Sequence, residues 1–328
     1  MVIALTQALT ARGLENVIAF TRLLGYVRHF HPSDEAAKTY WDRFAVEGVR
    51  AVEGARDARK LARQLEAIFQ PIAPSVRVFP ATQTVKPAVL PVGETLVAWH
   101  HVGFGQPSNP SYQSERLRKP VAAARTDTQF PNPAAPFQAE LGGGVACQVP
   151  LAVYADVQGT LPRAAPRETK AGALPSPTQI AYTANDRAVR LASVALAWNI
   201  FQHFYPYFDV GKTDWPLALR EALQKAATDA DEPAFAVTLK RMVAALHDGH
   251  GAVSNAREFA ASTVPGVVWE WIEGQIIVTA VKPGIAGLAP GDAVTAIDGR
   301  PALQALQERE ALISGATPQW IRYRGLRG

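Results

Sequence analysis

Cysteine is almost missing from this sequence: Cys147 stands alone among 328 residues. A single thiol excludes an internal disulfide framework and any multi-cysteine metal site. It does not fix a compartment, because chains without disulfides occur in cytoplasm and periplasm alike. Long apolar runs are absent too. None approaches the roughly 20 residues that cross a bilayer, so no membrane span is expected. The opening Met1-Val2-Ile3-Ala4-Leu5 lacks a basic segment and a long apolar core, so no signal peptide is read there. Charge of one sign is also scarce. With 33 basic and 29 acidic residues the net charge is +4, and no Lys/Arg run tracks a phosphate backbone, so nucleic acid is not an expected partner. What remains is ordinary for a globular chain of two to four small domains, at 48% hydrophobic and 19% charged residues.

The chemistry-bearing stretch lies at residues 194–255. Val194, Ala197, Trp198, Phe201 and Phe204 have helical spacing and Pro206 ends the helix. A second helix is predicted from about Trp215 to Ala227. A third carries Phe235, Leu239, Met242, Val243 and Leu246, and so ends at His247-Asp248-Gly249-His250-Gly251. Gly249 and Gly251 are expected to take positive φ and hold His250 in a fixed, exposed position. Trp198, Phe201, Tyr205 and Trp215 read as core.

Residues 14–79 anticipate this pattern. Phe20, Leu24, Val27 and Phe30 form a stripe, His31-Pro32 breaks it, and Trp41 opens the next helix. His29-Phe30-His31-Pro32 and His203-Phe204-Tyr205-Pro206 are offset by 203 − 29 = 174, and Trp41 and Trp215 by 215 − 41 = 174. A weak internal repeat follows. The third helices align only at 246 − 69 = 177, which sets Pro71-Ile72-Ala73 opposite Asp248-Gly249-His250, so the first copy lacks the site. Between the copies, Thr95-Leu96-Val97-Ala98-Trp99-His100-His101-Val102 and Val145 through Tyr154 are strand-like, interrupted by Pro- and Gly-rich loops. A β-rich insert, sandwich-like, is predicted, with a proline-rich linker over residues 160–177. After residue 255, Val267–Ile272 and Gln275–Val281 read as strands around a Glu273-Gly274 hairpin. Gly287-Leu288 through Gly291-Asp292 to Ile297-Asp298-Gly299 reads as two tight turns with a short buried strand between them, and Leu303, Leu306 and Leu312 suggest a helix beyond.

The fold class is therefore α+β multidomain. Its parts are a first helical unit (1–79), a β-rich inserted domain with linker (80–176), a second helical unit bearing the Asp-Gly-His turn (177–262) and an incomplete PDZ-like domain (263–328). The turn–strand–turn of 287–299 resembles that of a PDZ domain. Together with Leu246-His247-Asp248-Gly249-His250 upstream, it is similar to the tail-specific, or C-terminal processing, serine peptidases of the tricorn-like branch. The resemblance covers the last 135 or so residues most sharply. It implies a serine-type peptidase acting on peptide or protein substrates, with His250 as general base and a nucleophilic serine in an α/β core downstream of the PDZ-like unit.

The expectation is that this core, its oxyanion hole and any orienting carboxylate fall outside the chain, which would be inert alone. In the other branch of the family a Ser-Lys pair does the work. The resemblance also points to a periplasmic or extracellular setting, and gives the PDZ-like unit substrate C-terminus binding or domain positioning. The alternative is a non-catalytic peptide-binding or scaffolding protein. For His250 itself the competing role is a helix-terminal ring bonding a carbonyl, and for Asp248 a turn former. His247 and His250 have no third ligand nearby, and the pairs His29/His31 and His100/His101 are no better supported, so neither metal nor cofactor is expected. A PDZ-like unit needs a closing strand, and no strand-like run follows Arg324, so an exposed edge near residue 328 is expected. Oligomeric state is not written in these residues.

Overall fold

The computed structural model describes residues 6–103, 112–164, 182–254 and 266–327. It is α+β, with helices and antiparallel sheets, and it falls into two compact units: residues 1–205 with 226–228, and residues 206–225 with 229–328. The four expected segments thus regroup. The β-rich stretch joins the first helical unit, and the second helical unit is divided between the two. Most of the expected 160–177 linker, from 165 on, lies outside the described residues.

The first unit is built on α1 (Ala11–Phe30). The Thr10 hydroxyl accepts from Gly13 N–H at its start, and His31 leaves in extended conformation before Pro32. After the short α2 (Asp34–Ala37) come α3 (Trp41–Val52) and α4 (Ala58–Phe69), whose buried residues Ala45, Val49, Val52 and Leu61, Leu65, Phe69 follow helical spacing. Phe20 of α1 meets Phe44 and Phe69 at ring distances of 6.4 and 5.9 Å. At Gly48 a Cβ would stand 2.2 Å from the Phe20 ring, so α3 comes this close only as glycine.

Seven strands follow: β1 (Arg77–Pro80), β2 (Thr95–Val102), β3 (Gln113–Pro120), β4 (Phe137–Gly142), β5 (Val145–Val149), β6 (Ala152–Asp156) and β7 (Gly159–Thr160), with the short α5 (Val121–Ala124) after β3. The sandwich expectation takes another form, because helices cover the sheets. The β1-β5-β4 sheet packs on α1 and α4, and the β3-β2-β6-β7 sheet has α5 and Phe130 on one face. The strand-like run 145–154 is two strands, since Pro150 has no N–H to continue the ladder. Where β2 passes the end of α1, Trp99 Nε1 donates to His31 O (3.3 Å) and Arg116 Nε to Pro32 O (2.9 Å), while Arg116 also pairs with Asp34.

The last element of this unit is α6 (Arg187–Phe204), capped by Asp186 and packed on α1 and α3. The buried Arg190 guanidinium donates to Ala226 O and Ala184 O, both at 2.7 Å. On the α1–α6 seam, residues 174 apart touch. The His29 and His203 rings lie 5.7 Å apart and Phe30 and Phe204 6.5 Å, while a Cβ on Gly25 would stand 1.9 Å from Asn199 Oδ1.

In the second unit, α7 (Phe208–Gly211), α8 (Trp215–Thr228, its last residues counted with the first unit) and α9 (Glu232–Ala244) repeat the order of α2, α3 and α4. The starting offsets are 208 − 34, 215 − 41 and 232 − 58, each 174. The third helices, each capped by an aspartate (Asp57 and Asp231), therefore begin in the same register, and the expected shift to 177 is not needed at their starts. Then come the hairpin β8 (Val267–Ile272) and β9 (Gln275–Val281), turned by Glu273 (φ 46°) and Gly274 (φ 84°), and the two-residue strands β10 (Ala296–Ile297) and β11 (Arg300–Pro301). The short strand expected between the turns is not buried, because residues 291–296 are exposed apart from the half-buried Val294.

Past α10 (Ala302–Glu310), where an unpaired edge was expected, the chain forms a further helix, α11 (Pro318–Arg327). This helix packs on α10 and β8, and Trp269 Nε1 donates to Leu326 O at 2.8 Å. Ile276, Ala302 and Leu306 form the small core.

Candidate functional site

The site begins where α9 ends. Ala245 caps the helix, Leu246 is buried, and His247 turns the backbone through the left-handed region at φ 53°. The reversal thus falls on His247, not on the glycines, which have no positive φ. Gly249 and Gly251 serve close approach instead. A Cβ at Gly249 would stand 2.9 Å from Trp320 Nε1, and one at Gly251 would stand 3.1 Å from Val243 Cγ1 and 3.2 Å from Ser314 Oγ. Asp248 N–H donates to the buried Ser314 hydroxyl at 3.0 Å, and Gly251 N–H to Asp248 O at 2.9 Å, which fixes the turn from both sides.

Asp248 does both things weighed for it. Its Oδ1 accepts the His250 backbone N–H (2.9 Å), as a turn former, and lies 2.8 Å from His250 Nδ1, as an orienting carboxylate. A carboxylate within hydrogen-bond distance of the His250 ring is thus present in this chain. A carboxylate can only accept here, so Nδ1 carries a proton, and in the neutral ring Nε2 keeps its lone pair. The His250 side chain is 99% exposed, against 20% for Asp248. Among the described residues His250 hydrogen-bonds with Asp248 alone, and no hydroxyl reaches its Nε2. A cleft of about 810 Å³ opens beside the turn, bounded by Gly249, Gly251, Trp269, Ile297 and Trp320.

The other histidines do different work. His31 is buried, with Nδ1 3.0 Å and Nε2 2.7 Å from the hydroxyls of Ser33 and Ser75. Burial, with Arg116 adding repulsion, lowers its pKa to about 3. His101 Nε2 donates to His29 O at 2.7 Å, and His100 lies 3.4 Å from Gln129 Nε2. His29 and His203 face each other with buried Nε2 atoms that have no hydrogen-bond partner among the described residues. Burial takes their pKa values down to about 3 and about 4, with repulsion from Arg28 and neighbouring histidines adding to it. Periodicity left His29 and His203 off the apolar stripes that end at Phe30 and Phe204. Their 174-residue offset was the only signal that they meet.

Among the described residues no group of three or more His, Cys, Asp and Glu side chains is placed to hold a metal, and no described helix is long and apolar enough to cross a membrane. Trp198 and Trp215 are buried. Comparison with protein-family models and with curated proteins gives no match for this chain.

Proposed function

We propose that this chain supplies the general base of a serine-type peptidase, of the tail-specific, tricorn-like kind, acting on peptide or protein substrates. The observation that carries the reading is the His250–Asp248 pair: Nδ1 is held by a carboxylate at 2.8 Å, while Nε2 is exposed and unoccupied. An imidazole in that state accepts a serine proton as the oxygen attacks a peptide carbonyl, then returns it to the leaving amine. The serine and the oxyanion donors come from outside the described residues. Residues 263–328, as a PDZ-like unit, bind the substrate C-terminus or set the position of the catalytic parts. The matching helix starts at offset 174 support descent of the two helical units from one duplicated ancestor.

The cleft beside the turn favours a second reading, a peptide-binding protein without catalysis, since a cleft of this volume suits ligand recognition on its own. Hydrolysis decides between them. The chain alone and the chain fused to a serine-bearing peptidase core are assayed on a peptide library, each with and without His250→Ala. The expected result is activity only in the fusion, reduced about 10²- to 10⁴-fold by His250→Ala. A fusion that is active but indifferent to His250→Ala contradicts the role given to His250.

A further inference from the structure

The cleft beside the His250 turn has a chemical character of its own. Its walls include the half-buried Trp269, Ile297 and Ile313 and the exposed ring of Trp320. Of the cations that line it, Lys240, Arg300, Arg309 and Arg324, two stand on different helices, Arg309 in the last turn of α10 and Arg324 in the last turn of α11. Neither is paired with a carboxylate among the described residues. The contrast with their neighbours is informative. Arg300 is bonded to Glu308, Arg322 to Glu310, and Arg327 lies 3.7 Å from Glu270, so these three acids are taken up by other arginines, and Asp298 is the remaining carboxylate on the cleft wall. Arg324 stands over the Trp320 ring at 5.8 Å, an aromatic contact that leaves its charge uncompensated. Desolvation lowers the Arg309 pKa with no acid opposing the shift. Apolar wall and unmatched cations in one concavity call for a ligand with apolar groups and carboxylates together.

We infer that this cleft binds a short acidic peptide segment, its Asp or Glu side chains meeting Arg309 and Arg324 and its apolar side chains lying against Trp269 and Trp320. A concave wall argues for a chain segment over a flat lipid surface, and cations carried by two separate helices suit carboxylates on separate residues better than a single small anion. The recognised groups are internal side chains, so the mode differs from capture of a terminal carboxylate. That the segment also leads to His250 rests on the peptidase reading, in which Gly249 and Gly251, on either side of His250, line the cleft. Binding does not rest on it.

The test uses the whole chain and fluorescence anisotropy. The probes are acetylated, amidated, fluorescein-labelled peptides of alternating Glu and Leu, with Gln-for-Glu and Lys-for-Glu counterparts. The Glu peptide is expected to bind about tenfold tighter than the Gln peptide, the scale set by two solvent-exposed ion pairs. The Lys peptide is expected not to bind. That preference disappears in Arg309→Gln/Arg324→Gln and in high salt. The single variants report if the double variant melts early. Equal binding of Glu and Gln peptides, or a Glu preference that survives in the variants, overturns the inference. Because no hydrolysis is measured, failure here leaves the peptidase reading standing, and loss of catalysis there leaves this one standing.

Discussion

Mild acid is expected to unfold the first unit, and the magnitude follows from three histidines. In the folded chain burial lowers the pKa of His29 and His31 to about 3 and that of His203 to about 4, from the ordinary histidine value of 6.5. Their folded pKa values are depressed, so between pH 6.5 and those values the unfolded chain binds protons that the folded chain refuses. Stability is complete above about pH 6.5 and is lost as pH falls through that window. At pH 5 each group has drawn about 1.5 pH units, or about 2 kcal/mol, and the three together about 6 kcal/mol. A typical domain has about 5–15 kcal/mol to lose. The charges facing these rings do not relieve the cost, since Arg28 lies near His29, Arg116 near His31, and His101 near both His29 and His203. Asp34, held below the usual carboxylate range by Arg116 and Thr160 despite its partial burial, adds a further loss only at still lower pH.

Cys147, buried in the first unit and the only cysteine, reports its opening. Its labelling by 4,4′-dithiodipyridine, which reacts in acid, is followed against denaturant from about pH 7.5 to pH 4.5, and the unfolding free energy should fall by about 4 kcal/mol per pH unit below pH 6. In His29→Phe/His203→Phe, which keeps two aromatic rings on the seam, the slope should drop to about a third. A stability that is flat from pH 7 to pH 5, or a slope unchanged in the double variant, refutes the reasoning.

Gly25→Ala must push Asn199 aside from 1.9 Å, and should destabilise the first unit by about 1–3 kcal/mol in chemical denaturation. Arg190→Ala leaves Ala226 O and Ala184 O without their donor and opens a cavity, so a loss of about 3–5 kcal/mol is expected in the same assay. Burial pushes the Cys147 thiol up to about 12, so native protein at pH 8 should resist iodoacetamide and unfolded protein should react promptly.

Local signals carried much of this fold. Helices α6, α8 and α9 were legible because apolar residues fall at helical spacing and Pro206 stops the first of them, and β2, β8 and β9 because β-branched and aromatic residues run between turn formers. The Glu273-Gly274 turn was legible for the same reason. What failed depends on distant residues. In α11, Trp320, Ile321, Tyr323 and Leu326 are interleaved with arginines and Gly325, an unpromising local pattern, and the helix gains its place by packing, with Gly325 close against Leu306. The β-rich stretch needed helices to cover its sheets, which no strand pattern announces. At the candidate site the Asp-x-His spacing was visible, but the two bonds made by one oxygen of Asp248, and Ser314 holding its N–H from 66 residues away, are products of the folded chain. The left-handed His247 was concealed by the glycines beside it, which looked better suited to positive φ.

The most direct measurement is the tautomer of His250. The base assigned here must carry its proton on Nδ1, toward Asp248, and leave Nε2 bare. In ¹⁵N-labelled chain at a pH where the ring is neutral, long-range ¹H–¹⁵N correlation spectra assigned by His250→Ala should show a protonated Nδ1 and an unprotonated Nε2. Asp248→Asn should shift that balance toward the Nε2–H form. An Nε2–H ring in the parent chain, or a tautomer balance indifferent to Asp248→Asn, contradicts the claim that this turn prepares a general base.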